Sequence, residues 1–220
     1  MKVNIIGDII PNDDKWVYEW LECDGTCPRE VHDAIEKAAG QPLEVYINSG
    51  GGDIFAGSEI YEALRTYPGG VNIHIIYAAS AASVIACAGK SDITPTGMLM
   101  VHNVSSTARG DYHDMDKSSE ILQKANRAIA AAYTAKSRKS EAEVLAMMDQ
   151  ETWLTGQEAV DLGLVDAISA PARLTASSPG TLPPEVIARI KATVKNPFTA
   201  KEAGKAQARL DFLRLKGAAQ

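Results

Sequence analysis

The chain of 220 residues contains only three cysteines, which form no repeating framework. A small, odd number of cysteines argues against a disulfide scaffold and indicates a reducing compartment. No second Cys or His pair follows Cys23 and Cys27 at the spacing of a zinc site, so neither a metal site nor a cofactor is predicted. We expect all three side chains to be structural thiols, with Cys87 in the core.

The sequence also lacks an excess of positive charge and a long apolar run. Its formal net charge is −6, which argues against a nucleic-acid-binding protein. The longest apolar run, residues 75–88, is interrupted by serines and is shorter than a membrane span. The N-terminus shows no charged and then apolar signal segment. These absences predict a soluble, cytoplasmic protein without a membrane partner.

Composition and charge divide the chain into three parts. Residues 1–169 are predicted to form the main domain, and residues 170–184 are rich in Pro, Ser, Thr and Ala, which is typical of a linker. Residues 185–220 are predicted to be a basic helical tail on an acidic body. Both a solvated tail and a tail that contacts RNA, an acidic protein surface or a neighbouring subunit remain open.

Short β-rich runs alternate with helical segments through the first 170 residues. Strands are predicted at 3–6, 43–47, 71–76, 98–101 and 164–168. Helices between them favour βαβ crossovers and a mainly parallel, covered sheet, and therefore the α/β class. Residues 112–149 then predict a long helix, broken near 137–140, with one apolar stripe that needs a partner.

Two strand-to-helix turns carry the candidate chemistry, and the first holds Gly50, Gly51 and Gly52 before Asp53. Glycines let a ligand approach the backbone closely, and a helix N-terminus presents free amide donors. The turn therefore suits an oxyanion or a phosphate, although it is equally a plain tight turn. No Gly-Lys-Ser/Thr motif follows, so nucleotide binding has little support.

The second turn places Ser80 between a buried strand and a helix start, with alanines on both sides. It resembles a nucleophile elbow without the Gly-x-Ser-x-Gly pattern, and an ordinary N-cap serine is the alternative. A nucleophilic serine needs a base, and His102, at the end of a predicted strand, is better placed than the other three histidines. The base needs an orienting carboxylate, for which Asp149 and Glu151 are the candidates.

The order of these motifs resembles the ClpP family of serine peptidases. The resemblance is carried by Ile47-Asn48-Ser49-Gly50-Gly51-Gly52, Ala78-Ala79-Ser80-Ala81-Ala82-Ser83, Met100-Val101-His102-Asn103 and Glu158-Ala159-Val160-Asp161-Leu162-Gly163-Leu164-Val165-Asp166. It covers about residues 3–168 in the family's order. It implies an α/β fold of ClpP/crotonase-like repeated ββα units with a projecting handle helix, and a serine endopeptidase activity that needs no cofactor.

The resemblance also implies a role for individual residues. Ser80 is then the nucleophile and His102 the general base. The family's aspartate falls at Glu151, which is one methylene longer, with Asp149 as the fallback.

The same resemblance implies the oxyanion hole. It consists of Gly51, Gly52 and Ala81, in which Gly52 and Ala81 supply backbone amides and Gly51 shapes the turn.

The resemblance further implies partners and a setting. It predicts peptide or protein substrates and a homo-oligomer of stacked rings that the long helices interlock. An insertion at 16–28, the basic tail and the absence of an extended N-terminal segment are similar to the phage and prophage branch, whose members are associated with capsid maturation. Docking to an AAA+ unfoldase is left open.

Two other functions fit the same features. A crotonase-like acyl-CoA enzyme also uses glycine-turn amides as an oxyanion hole. A catalytically weak assembly scaffold is the second alternative, because Glu151 departs from the family pattern.

Overall fold

The computed structural model describes residues 1–170 of the chain. The unit that carries the candidate site consists of residues 1–18 and 23–170. The predicted tail and almost all of the predicted linker lie outside the described residues. Within residues 1–170, no helix combines the length and the hydropathy that crossing a membrane requires.

The elements alternate as the sequence predicts. In chain order they are β1 (Lys2–Ile9), α1 (Lys15–Leu21), β2 (Gly25–Thr26), α2 (Pro28–Ala38), β3 (Leu43–Gly52), α3 (Ile54–Arg65), β4 (Val71–Ala79), α4 (Ala81–Ala86), β5 (Lys90–Val101), α5 (Tyr112–Ser137), α6 (Glu141–Asp149), β6 (Thr152–Thr155), α7 (Gly156–Asp161) and β7 (Ala167–Ile168). A 3-10 helix, Asn12–Asp14, precedes α1.

One mainly parallel sheet organises the fold, with the strand order β2-β1-β3-β4-β5-β6 and with β7 also paired to β5. All pairings from β2 through β5 are parallel, and only β6 runs antiparallel to its neighbour. The helical crossovers between parallel strands confirm the predicted α/β class.

The described residues cover only one face of the sheet completely. Along β3, the buried Leu43, Val45 and Ile47 alternate with the partly exposed Glu44 and Tyr46. Parallel strands that are covered on both faces read as continuous apolar runs, which this strand does not. The prediction of a covered sheet is therefore wrong for the outer face of the part described.

The predicted glycine turn is part of strand β3. The strand continues through Gly52, because Gly51 and Gly52 pair with Asp8 and Ile9 of β1. Glycine usually weakens a strand, which is why the sequence predicts an earlier end. Helix α3 begins only after Asp53, whose side chain accepts a hydrogen bond from the Ala56 amide at 2.7 Å.

The predicted break in the long helix is confirmed. Helix α5 ends at Ser137, Arg138 adopts a left-handed conformation with φ 58°, and the Ser140 hydroxyl caps α6. The apolar stripe of α5 is buried at Ile129 and Tyr133. The N-terminal half of the helix exposes the apolar side chains of Tyr112, Met115 and Ile121 instead.

Candidate active site

Ser80 lies at the junction of β4 and α4 in a conformation that is rare for a residue with a side chain, with φ 54° and ψ −127°. Its amide donates to the Met100 carbonyl at 3.1 Å, and its carbonyl accepts from Ser83 N at 2.9 Å and Val84 N at 3.3 Å. Strained residues of this kind persist only where the surrounding structure fixes them. The sharp strand-to-helix junction is the geometry of a nucleophile elbow.

His102 follows the last residue of β5 and faces Ser80. Its Nε2 atom lies 2.7 Å from Ser80 Oγ, although the two residues are 22 positions apart in the sequence. A hydroxyl within hydrogen-bond distance of an imidazole is the arrangement that activates a serine nucleophile. The structure thus brings together the two residues that the sequence singles out.

The other three histidines lie elsewhere in the described chain. His74 is held between Glu44 and Asp92 on the outer face of the sheet. His32 pairs with Glu59 at an exposed position, and His113 lies on α5.

Gly51 occupies the space beside the candidate nucleophile. A Cβ atom at this position would lie 2.6 Å from Ser80 Cβ and 2.7 Å from the Ala79 carbonyl oxygen, and φ of Gly51 is +95°. No other residue fits there without moving Ser80. The Gly51 amide donates to Ser49 Oγ at 3.1 Å, so this residue shapes the site and its amide is already engaged.

Two further backbone amides border the same site. Gly52 lines the cavity that Ser80 and His102 also line. Ala81 is the first residue of α4, and the first amides of a helix have no partner within it. The sequence predicts these two amides as oxyanion donors, and that role stays a prediction.

Glu151 directly precedes β6, and His102 directly follows β5. The last antiparallel pair of these strands joins Val101 to Thr152, and Glu151 itself leaves the extended conformation, with φ 47°. Within residues 1–170, however, Glu151 Oε1 accepts a hydrogen bond from Trp153 Nε1 at 3.1 Å and makes none to the histidine.

Asp149, the fallback carboxylate, also lies close to the histidine segment. Its Oδ1 atom accepts a hydrogen bond from Asn103 Nδ2 at 2.7 Å. Asp149 therefore contacts the neighbour of His102 and, among the described residues, forms no hydrogen bond with the imidazole itself. The sequence prediction of the third member remains a prediction.

A cavity of about 300 Å³ opens next to Ser80 and His102. Most of its wall is apolar and comes from α3, α4, the segment after His102, and α5. The apolar lining residues are Ile54, Phe55, Val84, Val104, Ile121, Leu122, Ala125 and Ile129. A cavity of this kind beside a reactive group is suited to hold an apolar side chain.

Asn126 is a site residue that the sequence analysis missed. Its Oδ1 atom accepts a hydrogen bond from the Val104 amide at 2.7 Å, which ties the segment after His102 to helix α5. A polar residue next to the apolar stripe of the long helix was the available signal. Spacing alone does not show which loop such a side chain reaches.

Cys87 is excluded from the chemistry by its surroundings. Burial raises the pKa of its thiol to about 12, so the reactive thiolate is scarce at neutral pH. Cys27 and Cys87 are buried, as expected of structural thiols. Among residues 1–170, no three His, Cys, Asp or Glu side chains are grouped as a metal site requires.

Comparison with known proteins identifies the family. The family model described as Clp protease matches residues 34–172, which is more than half of the chain. The ATP-dependent Clp protease proteolytic subunit 1 of Leifsonia xyli subsp. xyli is 33% identical over 145 residues, covering 64% of this chain and 74% of that protein.

Two further relatives carry similar names. The proteolytic subunit of Bacteroides fragilis is 32% identical over 133 residues, which span 59% of this chain and 64% of the relative, just under two thirds of its length. Proteolytic subunit 1 of Chlamydia abortus is 30% identical over 153 residues, which span 64% and 80%. The matched segment contains the Ser80–His102 pair, and the chain belongs to the Clp protease family, a family of serine-type endopeptidases.

Proposed function

We propose that this chain is a peptidase subunit that cleaves peptide bonds with Ser80 as nucleophile and His102 as general base. The observation that carries the proposal is the 2.7 Å contact between Ser80 Oγ and His102 Nε2, at a serine whose backbone is held in a strained elbow. An N-cap serine, the alternative from sequence, needs neither feature. In addition, the Ser80 side chain caps no amide of α4.

The first half of the reaction forms an acyl-enzyme. His102 Nε2 takes the proton from Ser80 Oγ while the oxygen attacks the scissile carbonyl carbon. The carbonyl oxygen becomes negative and is stabilised by the amides of Gly52 and Ala81. The imidazolium then gives the proton to the leaving amine, and the carbon–nitrogen bond breaks.

The second half returns the enzyme to its starting state. His102 takes a proton from a water molecule, whose oxygen attacks the ester carbonyl of the acyl-enzyme. The same two amides stabilise the second oxyanion. The bond to Ser80 Oγ breaks, the serine recovers its proton from His102, and the peptide leaves with a free carboxylate.

We assign the third position of the triad to Glu151. Its position directly before β6, next to the Val101–Thr152 pair, brings it to the same end of the strand ladder as His102, and we infer that a change of side-chain rotamer lets its carboxylate reach Nδ1 of the imidazole. The competing contact, with Trp153 Nε1 at 3.1 Å, is exposed to solvent and therefore weak. Asp149 is already engaged with Asn103 and is the less suited of the two.

The substrate class follows from the cavity beside Ser80. Its volume of about 300 Å³ and its apolar wall suit an aliphatic or aromatic side chain of the substrate next to the scissile bond. A charged side chain there would lose its hydration against a mostly apolar wall, whose one carboxylate, Asp53, already accepts a hydrogen bond from the Ala56 amide.

We further propose a homo-oligomer of stacked rings as the assembled form. The supporting observation is the cluster of two exposed apolar side chains on the first turn of α5, Tyr112 and Met115, which lie three positions apart and therefore share one face of the helix. Such a cluster on one helix indicates an interface. Similarity of the insertion at 16–28 to the phage and prophage branch supports a role in capsid maturation. The free thiols of Cys27 and Cys87 support the cytoplasm as the location.

The two alternative functions predict a different site. A crotonase-like acyl-CoA enzyme requires the oxyanion donors but has no use for a serine hydrogen-bonded to a histidine. An assembly scaffold requires neither a strained Ser80 nor a glycine that fits only against it. The geometry therefore favours the peptidase.

Hydrolysis of fluorogenic peptides tests the proposal. We expect the wild type to cleave peptides with Leu or Phe before the scissile bond faster than matched peptides with Asp or Lys. We expect Ser80→Ala to be inactive on all of them while its elution on size-exclusion chromatography is unchanged. Equal activity of Ser80→Ala and wild type would show that another group performs the reaction.

A further inference from the structure

Two buried hydroxyl groups connect helix α5 to the backbone of the candidate nucleophile. Ser83 Oγ donates to the Ser80 carbonyl oxygen at 2.7 Å and lies 2.8 Å from the Tyr133 hydroxyl. Ser83 is fully buried and Tyr133 retains only 2% of its exposed surface. The two residues are 50 positions apart in the sequence, so their contact is a product of the fold.

The direction of the hydrogen bonds in this pair follows from elimination. A carbonyl oxygen only accepts, so the single proton of the Ser83 hydroxyl must point to Ser80. The proton between the two hydroxyls must then come from Tyr133. Burial raises the pKa of the Tyr133 phenol, a shift that the hydrogen bond with Ser83 opposes in part, so the group remains a neutral donor.

The Ser80 carbonyl belongs to the same peptide group as the Ala81 amide. A trans peptide group is planar, so its carbonyl and its N–H point in opposite directions. Three donors hold this carbonyl: Ser83 N, Val84 N and Ser83 Oγ. Because the carbonyl is held on one side of the peptide plane, the direction of the Ala81 N–H on the other side is fixed as well. The hydrogen bonds from Tyr133 to Ser83 and from Ser83 to the carbonyl also strengthen each other.

We propose that Ser83 and Tyr133 are positioning residues that aim the Ala81 amide at the oxyanion of the transition state. This inference rests on the proposed roles of Ser80 and Ala81. It also gives α5 a direct connection to the catalytic centre, because Tyr133 is part of that helix. A buried pair that served packing alone would require the shape of the side chains but not the two hydroxyls.

Helix α5 offers a matched control for this idea. The hydroxyl oxygen of Thr134, the next residue along, is buried and has no hydrogen-bond partner among the described residues. Thr134→Val removes a buried hydroxyl without changing the shape of the side chain. The substitution Tyr133→Phe likewise removes one buried hydroxyl, at the position that is hydrogen-bonded to Ser83.

The experiment compares Tyr133→Phe, Ser83→Ala, the double variant and Thr134→Val with the wild type. We measure kcat and KM on the best peptide substrate, and the affinity for a peptide boronic acid, which forms a tetrahedral adduct. Loss of an oxyanion donor lowers kcat on the order of 100- to 1000-fold. We therefore expect an oxyanion donor that points in the wrong direction to lower kcat by about tenfold, with KM unchanged. The affinity for the boronic acid should fall in parallel.

The double variant tests whether Tyr133 acts through Ser83. We expect it to be no slower than Ser83→Ala alone, and we expect Thr134→Val to match the wild type. If Ser83→Ala does not fold, comparison of kcat between Tyr133→Phe and Thr134→Val decides the question. A kcat of Tyr133→Phe equal to that of Thr134→Val, or a loss confined to KM, overturns the inference.

Ser80→Ala in the same series separates the two proposals. If Ser80→Ala is inactive while Tyr133→Phe retains the full kcat, only the positioning role is wrong. If Ser80→Ala retains full activity, the proposed function itself is wrong.

Discussion

Ser80 holds its strained conformation because the residue packed against it has no side chain. A Cβ atom at Gly51 would collide with Ser80 Cβ and with the Ala79 carbonyl oxygen, whereas one at Gly50 would find its nearest neighbour, Tyr77, at 3.9 Å. Two adjacent glycines therefore make different contributions to the site. Only the second is required by the nucleophile.

Substitution of the two glycines by alanine should separate these contributions. We expect peptidase activity of Gly51→Ala to fall by at least about 100-fold, because the added methyl group displaces the nucleophile. We also expect this variant to unfold at a lower temperature, because the added methyl group overpacks the core. We expect Gly50→Ala to stay within about threefold of the wild type, as a surface change does. Peptide hydrolysis and thermal denaturation measure both effects, and equal activities of the two variants would contradict the packing argument.

The carboxylate of Glu151 should matter more to the reaction than that of Asp149. Glu151→Gln leaves the imidazole without an anionic partner, and we expect kcat to fall on the order of 1000-fold or more. Asp149→Asn should lower kcat much less, because the Asp149 carboxylate is hydrogen-bonded to Asn103 and, among the described residues, not to His102. Single-turnover kinetics of both variants measures this difference, and a larger loss in Asp149→Asn would move the third position of the triad to Asp149.

Much of the site could be predicted from the sequence, but the contacts made by side chains could not. Ser80 and His102 each follow a predicted strand, and neighbouring parallel strands bring such residues to the same edge of a sheet. Asp149 and Glu151 were both candidates, and only the resemblance to the ClpP family favoured Glu151. Its contact with Trp153 depends on a rotamer, and the Ser83–Tyr133 contact joins two elements whose packing angle the sequence does not reveal.

At the level of elements, the prediction failed mainly where strands extend through small or polar residues. Strand β3 continues to Gly52 and β5 begins at Lys90, because hydrogen bonds to neighbouring strands outweigh weak local propensity. By contrast, the break between α5 and α6 was correct, because a capping box at Ser140 is a local signal.

The outer face of β3, β4 and β5 carries an ionic cluster that should make stability depend on pH. Burial alone would lower the pKa of His74, but hydrogen bonds and charges of Glu44 and Asp92 outweigh it and raise the pKa above the ordinary 6.5. The folded state then binds the proton more tightly than the unfolded state. The resulting stabilisation is full below the unfolded pKa and is lost as the pH rises through the folded pKa.

Replacement of this histidine tests the effect. We expect the difference in free energy of unfolding between the wild type and His74→Gln to shrink from about pH 6 to about pH 9. Urea denaturation across this range measures it. His32→Gln, at an exposed pair with Glu59, is the control and should show little change. A difference that grows with pH would contradict the assignment.

At the scale of the whole molecule, the exposed apolar half of α5 should determine assembly. Met115 is 38% exposed and lies close to the N-terminus of the helix, with Tyr112 at its first position. A charge in the centre of an interface is costly to desolvate. We expect Met115→Glu to lower the mass of the assembly and Ala128→Glu, an exposed position on another face, to leave it unchanged.

Light scattering coupled to size-exclusion chromatography measures that mass. An unchanged mass for Met115→Glu would show that the assembly does not depend on this part of α5. Peptide hydrolysis by the same fractions then shows whether the separated subunits retain activity.

The central claim is that Ser80, activated by His102, is the nucleophile. Labelling with a fluorophosphonate followed by peptide mapping tests it most directly, because the probe bonds only to an activated hydroxyl. The account predicts one adduct, on Ser80, that is absent from Ser80→Ala and greatly reduced in His102→Ala. An adduct on another serine, or undiminished labelling of His102→Ala, would contradict it.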